Sequence, residues 1–529
     1  MRVLITGGDG VLGREVIAAL HEEVAIIAFD ARFSAPLPPR VRVIEGDQRD
    51  PLQVAAALDG VDAVLHLAPM TEPPGDECAA LDAASRGTYT LITTALDVGV
   101  RRFVFGSTLD LFDRLPAEWH VSETWRPRPE PRIEHLRPWL AELSAREAVR
   151  DADASAICLR FGRPVDDDAV RTLPYDRRWV HLEDAVAGVR RALDLELPGW
   201  SVFHITAAGG NAKVRLAAAG REPFGYRPTH DFADCRHANP TQDPAPSPDP
   251  EVVLGPVAPI PSRPIRNVVI FGAGGPLAAA AAGELAPSYA LRLTDIRPIE
   301  EIAAAGPNLS QNPGAPVPVP LGTPHECRVV DVTQLDEVMA ACEGMDAVIN
   351  CTVIRHEPVG AFRVNTVGAY NVVRAAVAHG IRRIVHTGPQ LVALHGGVDY
   401  STDYDVPADA PPRPGRHLYG HSKYLGQEIC RAFADDYDLE IPALLFSEFI
   451  APETGLPLPL HPFAVSWRDA ARAIRRALEV PHLPEPFEVL HVNANLPHGR
   501  FTNGKAKKVL GWQPVDTLQH MWSDMDESG

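Results

Sequence analysis

Tyr419 and Lys423 lie four residues apart within the segment 417–428. If that segment is helical, the two side chains stand one turn apart on a single face, because residues i and i+4 are neighbours on a helix surface. An ammonium beside a phenol favours the phenolate, which makes the tyrosine usable as a general acid or base nearer neutral pH. A packed ring beside a solvated charge gives the same spacing, so the pair becomes chemical only if a ligand cleft lies next to it. His417 and His421 are also four apart. A helix could turn both towards a metal, but they lack the carboxylate or cysteine partners of a ligand set, and no metal is expected.

The cleft is supplied by two glycine turns. Residues 2–6 form an apolar run of strand length that meets Gly7-x-x-Gly10-x-x-Gly13, and residues 267–271 form another that meets Gly272-x-x-Gly275-x-x-Ala278. A strand, such a turn and then a helix make the dinucleotide-binding arrangement. Glycine permits the tight turn and the close approach of backbone to a pyrophosphate, and the helix N-terminus supplies N–H donors. The next strand of each copy ends in an aspartate, Asp30 or Asp295. There a carboxylate can accept hydrogen bonds from ribose hydroxyls and repels a 2′-phosphate, so NAD is favoured over NADP. Arg32 and Arg297, two positions further on, partly offset that repulsion.

These turns belong to an internal repeat. Residues 43–47 and 328–331 close on Asp47 and Asp331, Gly60-Val-Asp-Ala-Val-Leu-His66 answers Gly344-Met-Asp-Ala-Val-Ile-Asn350, and residues 99–105 answer 380–386. Each half closes alike, with Gly225-Tyr226-Arg227-Pro228 and Gly511-Trp512-Gln513-Pro514. Apolar strands alternating with helical segments imply a parallel sheet covered on both faces, formed twice. The fold class expected is therefore α/β, two Rossmann-like doubly wound parallel-sheet domains in tandem, over residues 1–230 and 265–529. Residues 231–264 are proline-rich and read as an extended connector, and a second proline-rich stretch, 307–324, reads as a surface loop.

The 529 residues exceed a single core, and 45% hydrophobic with 22% charged residues is ordinary for a globular chain. A formal net charge of −19 argues against nucleic-acid or membrane-surface binding. The seven cysteines are scattered, without C-x-x-C spacing, and no export signal or membrane span is visible, so a reduced cytoplasm is the expected compartment.

On these motifs, together with Asn365-Thr-Val-Gly368 and Tyr419-Gly-His-Ser-Lys423, both halves resemble extended short-chain dehydrogenase/reductases of the NAD-dependent epimerase/dehydratase group. The resemblance implies cofactor contacts from Gly7, Gly10, Gly13, Asp30 and Asp47 in one half, and from Gly272, Gly275, Asp295, Asp331 and Lys423 in the other. It also implies that a Ser or Thr at the end of the fifth strand polarises the substrate oxygen, that the tyrosine transfers the proton, and that the lysine holds the nicotinamide ribose. Each half departs from that pattern. The first offers Thr108 and Ser107 as hydroxyls, but Trp139 and Leu143, or Pro138 and Glu142 in the neighbouring register, stand where Tyr and Lys should be. The first half should bind nucleotide without turning it over. The second keeps Tyr419 and Lys423 but has Pro389 at the hydroxyl position, leaving Thr387 or the Gln390 amide to replace it.

Both substrate subdomains are short, at residues 162–179 and 449–463, which points to a small substrate such as a simple sugar or sugar acid. The expected activity is an NAD-dependent oxidoreductase or epimerase working in the second half, the two halves packing as a pseudo-dimer. The alternative is a catalytically inactive NAD-binding sensor or scaffold.

Overall fold

A computed structural model of the chain describes residues 1–71, 75–116, 119–209, 219–238, 264–306, 314–392, 407–454, 463–496 and 503–521. The chain divides into two compact units, Met1–Asp249 and Pro250–Gly529. In the first, strands β1 (Arg2–Thr6), β2 (Ala25–Asp30), β3 (Arg42–Glu45), β4 (Ala63–His66), β5 (Arg102–Thr108), β6 (Ser155–Phe161) and β9 (Gly199–Ile205) form one sheet in the order β3-β2-β1-β4-β5-β6-β9. A separate parallel pair, β7 (Arg163–Val165) and β8 (Trp179–His181), lies in the short insertion. The second unit repeats the plan with β10 (Asn267–Phe271), β11 (Ala290–Asp295), β12 (Glu326–Val329), β13 (Ala347–Asn350), β14 (Arg383–Pro389), β15 (Ile441–Phe446) and β18 (Phe487–His491), ordered β12-β11-β10-β13-β14-β15-β18. Its parallel pair is β16 (Glu448–Ile450) with β17 (Ala464–Ser466).

The strands read as continuous apolar runs because both faces of each sheet are buried. Val3 and Ile5 enter the core on one face and Leu4 the core on the other, as a period of two requires. All three are fully buried, each contributing about 1.5–3 kcal/mol. The strand order reverses between β1 and β4, and between β10 and β13. There the carboxyl ends of the strands open a crevice at the glycine turn.

The closing segments are tied down the same way in both halves. Asp184 accepts from the Thr229 and His230 amides at 2.8 and 2.9 Å, and Asp469 accepts from the Val515 and Asp516 amides at 2.9 and 2.8 Å. Both aspartates sit in the first turn of a helix, Leu182–Asp194 and Trp467–Glu479.

One expectation changes. The segment expected to begin the extended connector instead continues the first unit: Phe232 packs with Trp179 and Val165, and Ala233–Ala238 is helical. Burial of that ring holds the chain to the domain; the remainder of the connector, 239–263, lies outside the described residues. Of the second proline-rich stretch, 307–313 lies outside them too, but Pro316 and Pro318 line a cavity of about 340 Å³ together with Gly274, Gly275 and Arg297. The described part of this loop is a wall of the nucleotide crevice. Among the described residues no helix is long and apolar enough to cross a membrane, and all seven cysteines are free.

Candidate active site

Gly7, Gly13 and Gly272 leave no room for side chains. Gly7 has φ +73°, and a Cβ there would lie 2.5 Å from the Ala68 nitrogen; one on Gly13 would lie 2.2 Å from the Gly7 oxygen. In the second half Gly272 has φ +76° and a Cβ would approach the Thr352 nitrogen to 2.9 Å, whereas at Gly275 the nearest atom is 3.4 Å away. Pro276 occupies the first turn of its helix, where its missing N–H is no loss. Asp30 accepts from the Asp9 amide at 3.1 Å and Asp295 from the Gly274 amide at 2.9 Å. Each carboxylate is thereby fixed against its own glycine turn at the tip of β2 or β11. Burial pushes the Asp30 carboxyl above its ordinary pKa, with the Asp9 and Ala31 amides pulling the other way. Asp47 is gripped by the Arg49 guanidinium at 2.8 Å, and Asp331 accepts from the Thr333 amide at 2.9 Å. Both organise the turns after β3 and β12. The cradles at Gly7 and Gly272, each of which a methyl group would fill, and the anchored ribose-facing carboxylates fit NAD.

Tyr419 and Lys423 lie on the helix Leu418–Asp436, as the spacing implied. His417 caps it, accepting from the Gly420 amide at 3.2 Å, and His421 donates to the Gly415 carbonyl at 3.0 Å. The two histidines thus serve the helix start. Lys423 is buried and donates to the Thr352 carbonyl at 2.9 Å and the Thr387 carbonyl at 2.8 Å, across the ends of β13 and β14. Burial pulls its pKa down to about 8, opposed by the neighbouring Cys351 and Cys430.

The cation acting on the tyrosine is a different one. Arg355, in the loop after β13, lies over Tyr419, its guanidinium carbon 5.3 Å from the ring centroid. Burial nevertheless raises the Tyr419 pKa, with Arg355 only partly offsetting it. The lowering expected from Lys423 does not appear: burial and Arg355 are the influences on the phenol. The loop carrying Arg355 is held by Asn365, which accepts from the Ile354 amide at 3.1 Å and donates to its carbonyl at 2.7 Å. Asn365 also donates to Ser422 at 2.9 Å, tying the loop to the Tyr419 helix. It sits in a π-helical turn, Arg363–Val367, a local widening common at functional sites.

Thr387 is buried and its hydroxyl donates to the Asn350 carbonyl at 2.9 Å, so its single hydrogen is committed. Gln390 is buried with only a 3.5 Å contact from its amide nitrogen to the Leu445 carbonyl, and its oxygen has no partner among the described residues.

In the first half the structure decides between the two registers. The pair Glu147–Arg150 corresponds to Glu428–Arg431 on the second helix. Counting back from it sets Pro138 at the tyrosine place and Glu142 at the lysine place. Trp139 and Leu143 belong to the core instead. Glu142 is buried, accepts from Ser107 at 2.9 Å and from Arg160 Nε at 3.1 Å, and the arginine holds its carboxyl below the ordinary range against the opposing effect of burial. Thr108 caps the following turn, accepting from the Asp110 amide at 3.1 Å.

Residues 7–179 match the NAD(P)H-binding family, and residues 293–490 match the NAD dependent epimerase/dehydratase family. Among curated proteins, the chain is 32% identical over 116 residues to a 3 beta-hydroxysteroid dehydrogenase/Delta 5-->4-isomerase of Mycobacterium tuberculosis, covering 20% of this chain and 31% of that one. It is thus similar to the first of these relatives over about a third of their length. It is 26% identical over 209 residues to an L-arabinose 1-dehydrogenase (NAD(P)(+)) of Haloferax volcanii, covering 36% of this chain and 81% of that one. Among solved structures, uronate dehydrogenase from Agrobacterium tumefaciens is 21% identical, with 48% of this chain and 93% of that one covered and a TM-score of 0.41.

Proposed function

We propose, from a chain that is a tandem of two extended short-chain dehydrogenase/reductase domains, that the C-terminal half is an NAD-dependent dehydrogenase or epimerase acting on a hydroxyl of a sugar-like acid. The observation that carries this reading is the Arg355 guanidinium placed over the Tyr419 ring, with Lys423 intact one helical turn beyond Tyr419. Gly272 and Asp295 would hold the nucleotide, and the L-arabinose dehydrogenase relative favours a sugar as its partner.

In this mechanism the Tyr419 oxygen takes the proton of the substrate hydroxyl. NAD, when bound, supplies the hydride acceptor. Arg355 stabilises the phenolate and is exposed, so it can also pair with a substrate carboxylate beside the reacting hydroxyl. Lys423 holds the ends of β13 and β14 together and keeps a positive charge under the reacting end of the cleft. With the Thr387 hydrogen committed to Asn350, the Gln390 amide is the donor we assign to the substrate oxygen.

The second reading, a binding module without turnover, is favoured by Pro389 at the hydroxyl position. Incubation with NAD and a panel of aldoses and uronic acids, following NADH and analysing products for silent epimerisation, separates the two. Turnover abolished by Tyr419→Phe supports the enzyme; tight NAD binding by calorimetry without any product supports the module.

A further inference from the structure

In the first half, the crevice at the switch point has two wings. One lies over β2, where Asp30 waits for a ribose diol, and the other over the ends of β4 and β5, where the second nucleotide of a dinucleotide must sit. The second wing is filled by the protein itself. Glu142 stands where the second half has Lys423, and it is locked to Arg160 and Ser107 across the ends of β5 and β6. Arg137, from the same helix, reaches over the end of β4 to the Thr71 carbonyl at 2.7 Å. Met70 closes on β5 from above, so near that a Cβ on Gly106 would lie 2.6 Å from its sulfur. Glu142, Arg160 and Arg137 are all buried. Opening this wing would strand a buried charge, which costs about 3–5 kcal/mol. On the other wing Gly7 and Gly13 keep the backbone turn of a diphosphate cradle, with Thr71 packed over Gly10, and Asp30 stands at the ribose position.

We infer that the first half is a ribonucleoside diphosphate site: it takes the ADP portion of a dinucleotide and excludes the nicotinamide portion. The inference rests on the nucleotide-binding reading of the first half and is independent of whether the second half turns over. Its ligand is therefore a free nucleoside diphosphate or a molecule that presents one, with the rest of that molecule left outside the crevice.

The test is calorimetry on the full chain with the second site disabled by Gly274→Val, whose side chain would meet Asp295 Oδ2 at 2.8 Å and Ile302 Cδ1 at 2.5 Å. Asp295→Ala serves as a second background that leaves the turn unstrained, in case the first fails to fold. ADP, ADP-ribose and NAD are expected to bind the remaining site with dissociation constants within about threefold of one another, and Asp30→Ala should weaken all three alike, by about tenfold, as loss of a charged hydrogen-bond acceptor would. NAD binding more than tenfold tighter than ADP would overturn the inference by showing the second wing open. A folded protein that binds none of the three would overturn both it and the nucleotide reading of the first half, while leaving catalysis in the second half to be judged by turnover.

Discussion

The guanidinium carbon of Arg355 lies 5.3 Å from the centre of the Tyr419 ring, although 64 positions of sequence separate the two residues. That contact, and not the Tyr419–Lys423 spacing, supplies the positive charge on the proposed proton-transfer group. Arg355→Met should raise KM for carboxylated substrates by about 10- to 100-fold, the loss expected for one charge-assisted hydrogen bond of roughly 1.5–3 kcal/mol, while changing KM for neutral sugars little. A Michaelis series with paired uronic acids and aldoses checks this.

The same contact sets a pH dependence. Burial raises the Tyr419 pKa and Arg355 opposes the rise, so oxidation should speed up with increasing pH as the phenol ionises. Removing Arg355 takes away the opposing charge and should move that limb further to the alkaline side. A profile of kcat/KM against pH for the wild type and Arg355→Met reads the shift; superimposable profiles would deny Arg355 the role.

Lys423 links the site to stability. Its folded-state pKa of about 8 lies below the ordinary 10.5, so between these values the unfolded chain binds more protons than the folded one and stability rises with pH. Below about pH 8 the full cost of burying the charge is present. Relative to Lys423→Met, the wild type should therefore gain on the order of 1–3 kcal/mol between pH 7 and 10. Denaturant melts at the two pH values measure it.

Asn365 acts through the loop it holds. Asn365→Ala leaves the Ile354 amide and carbonyl without their side-chain partners and frees Arg355, and should cost about 1–3 kcal/mol of stability. If Asn365 positions Arg355, the variant should also reproduce the alkaline displacement of the Arg355→Met profile, which a merely structural residue would not.

The sheets were legible in the sequence because their signals are local: apolar runs, a glycine turn whose Gly7 and Gly13 admit no Cβ, and an aspartate at the next strand end. Repetition of those signals in order fixed the tandem. The helix under Tyr419 and Lys423 was legible for the same reason. What lay hidden depends on contacts between distant segments. Arg355 carries no motif, and Asn365, seen in the sequence as part of a family signature, binds its loop to the tyrosine helix. Glu142 was visible only as one of two registers, and the Glu147–Arg150 pair that decides between them is recognisable once both helices are superposed on their own sheets. Phe232 extended the first domain past its expected end because burial against Trp179 outweighs the turn-forming residues around it.

The proposed role of Tyr419 is to transfer the proton in an oxidation carried out by the second half. Its most direct test is NADH formation from a uronic acid by the wild type and Tyr419→Phe, with NAD affinity measured alongside. Loss of the phenolic oxygen should lower kcat by about 10²–10⁴-fold while leaving the dissociation constant of NAD unchanged. Turnover retained within a few-fold in Tyr419→Phe would contradict the account.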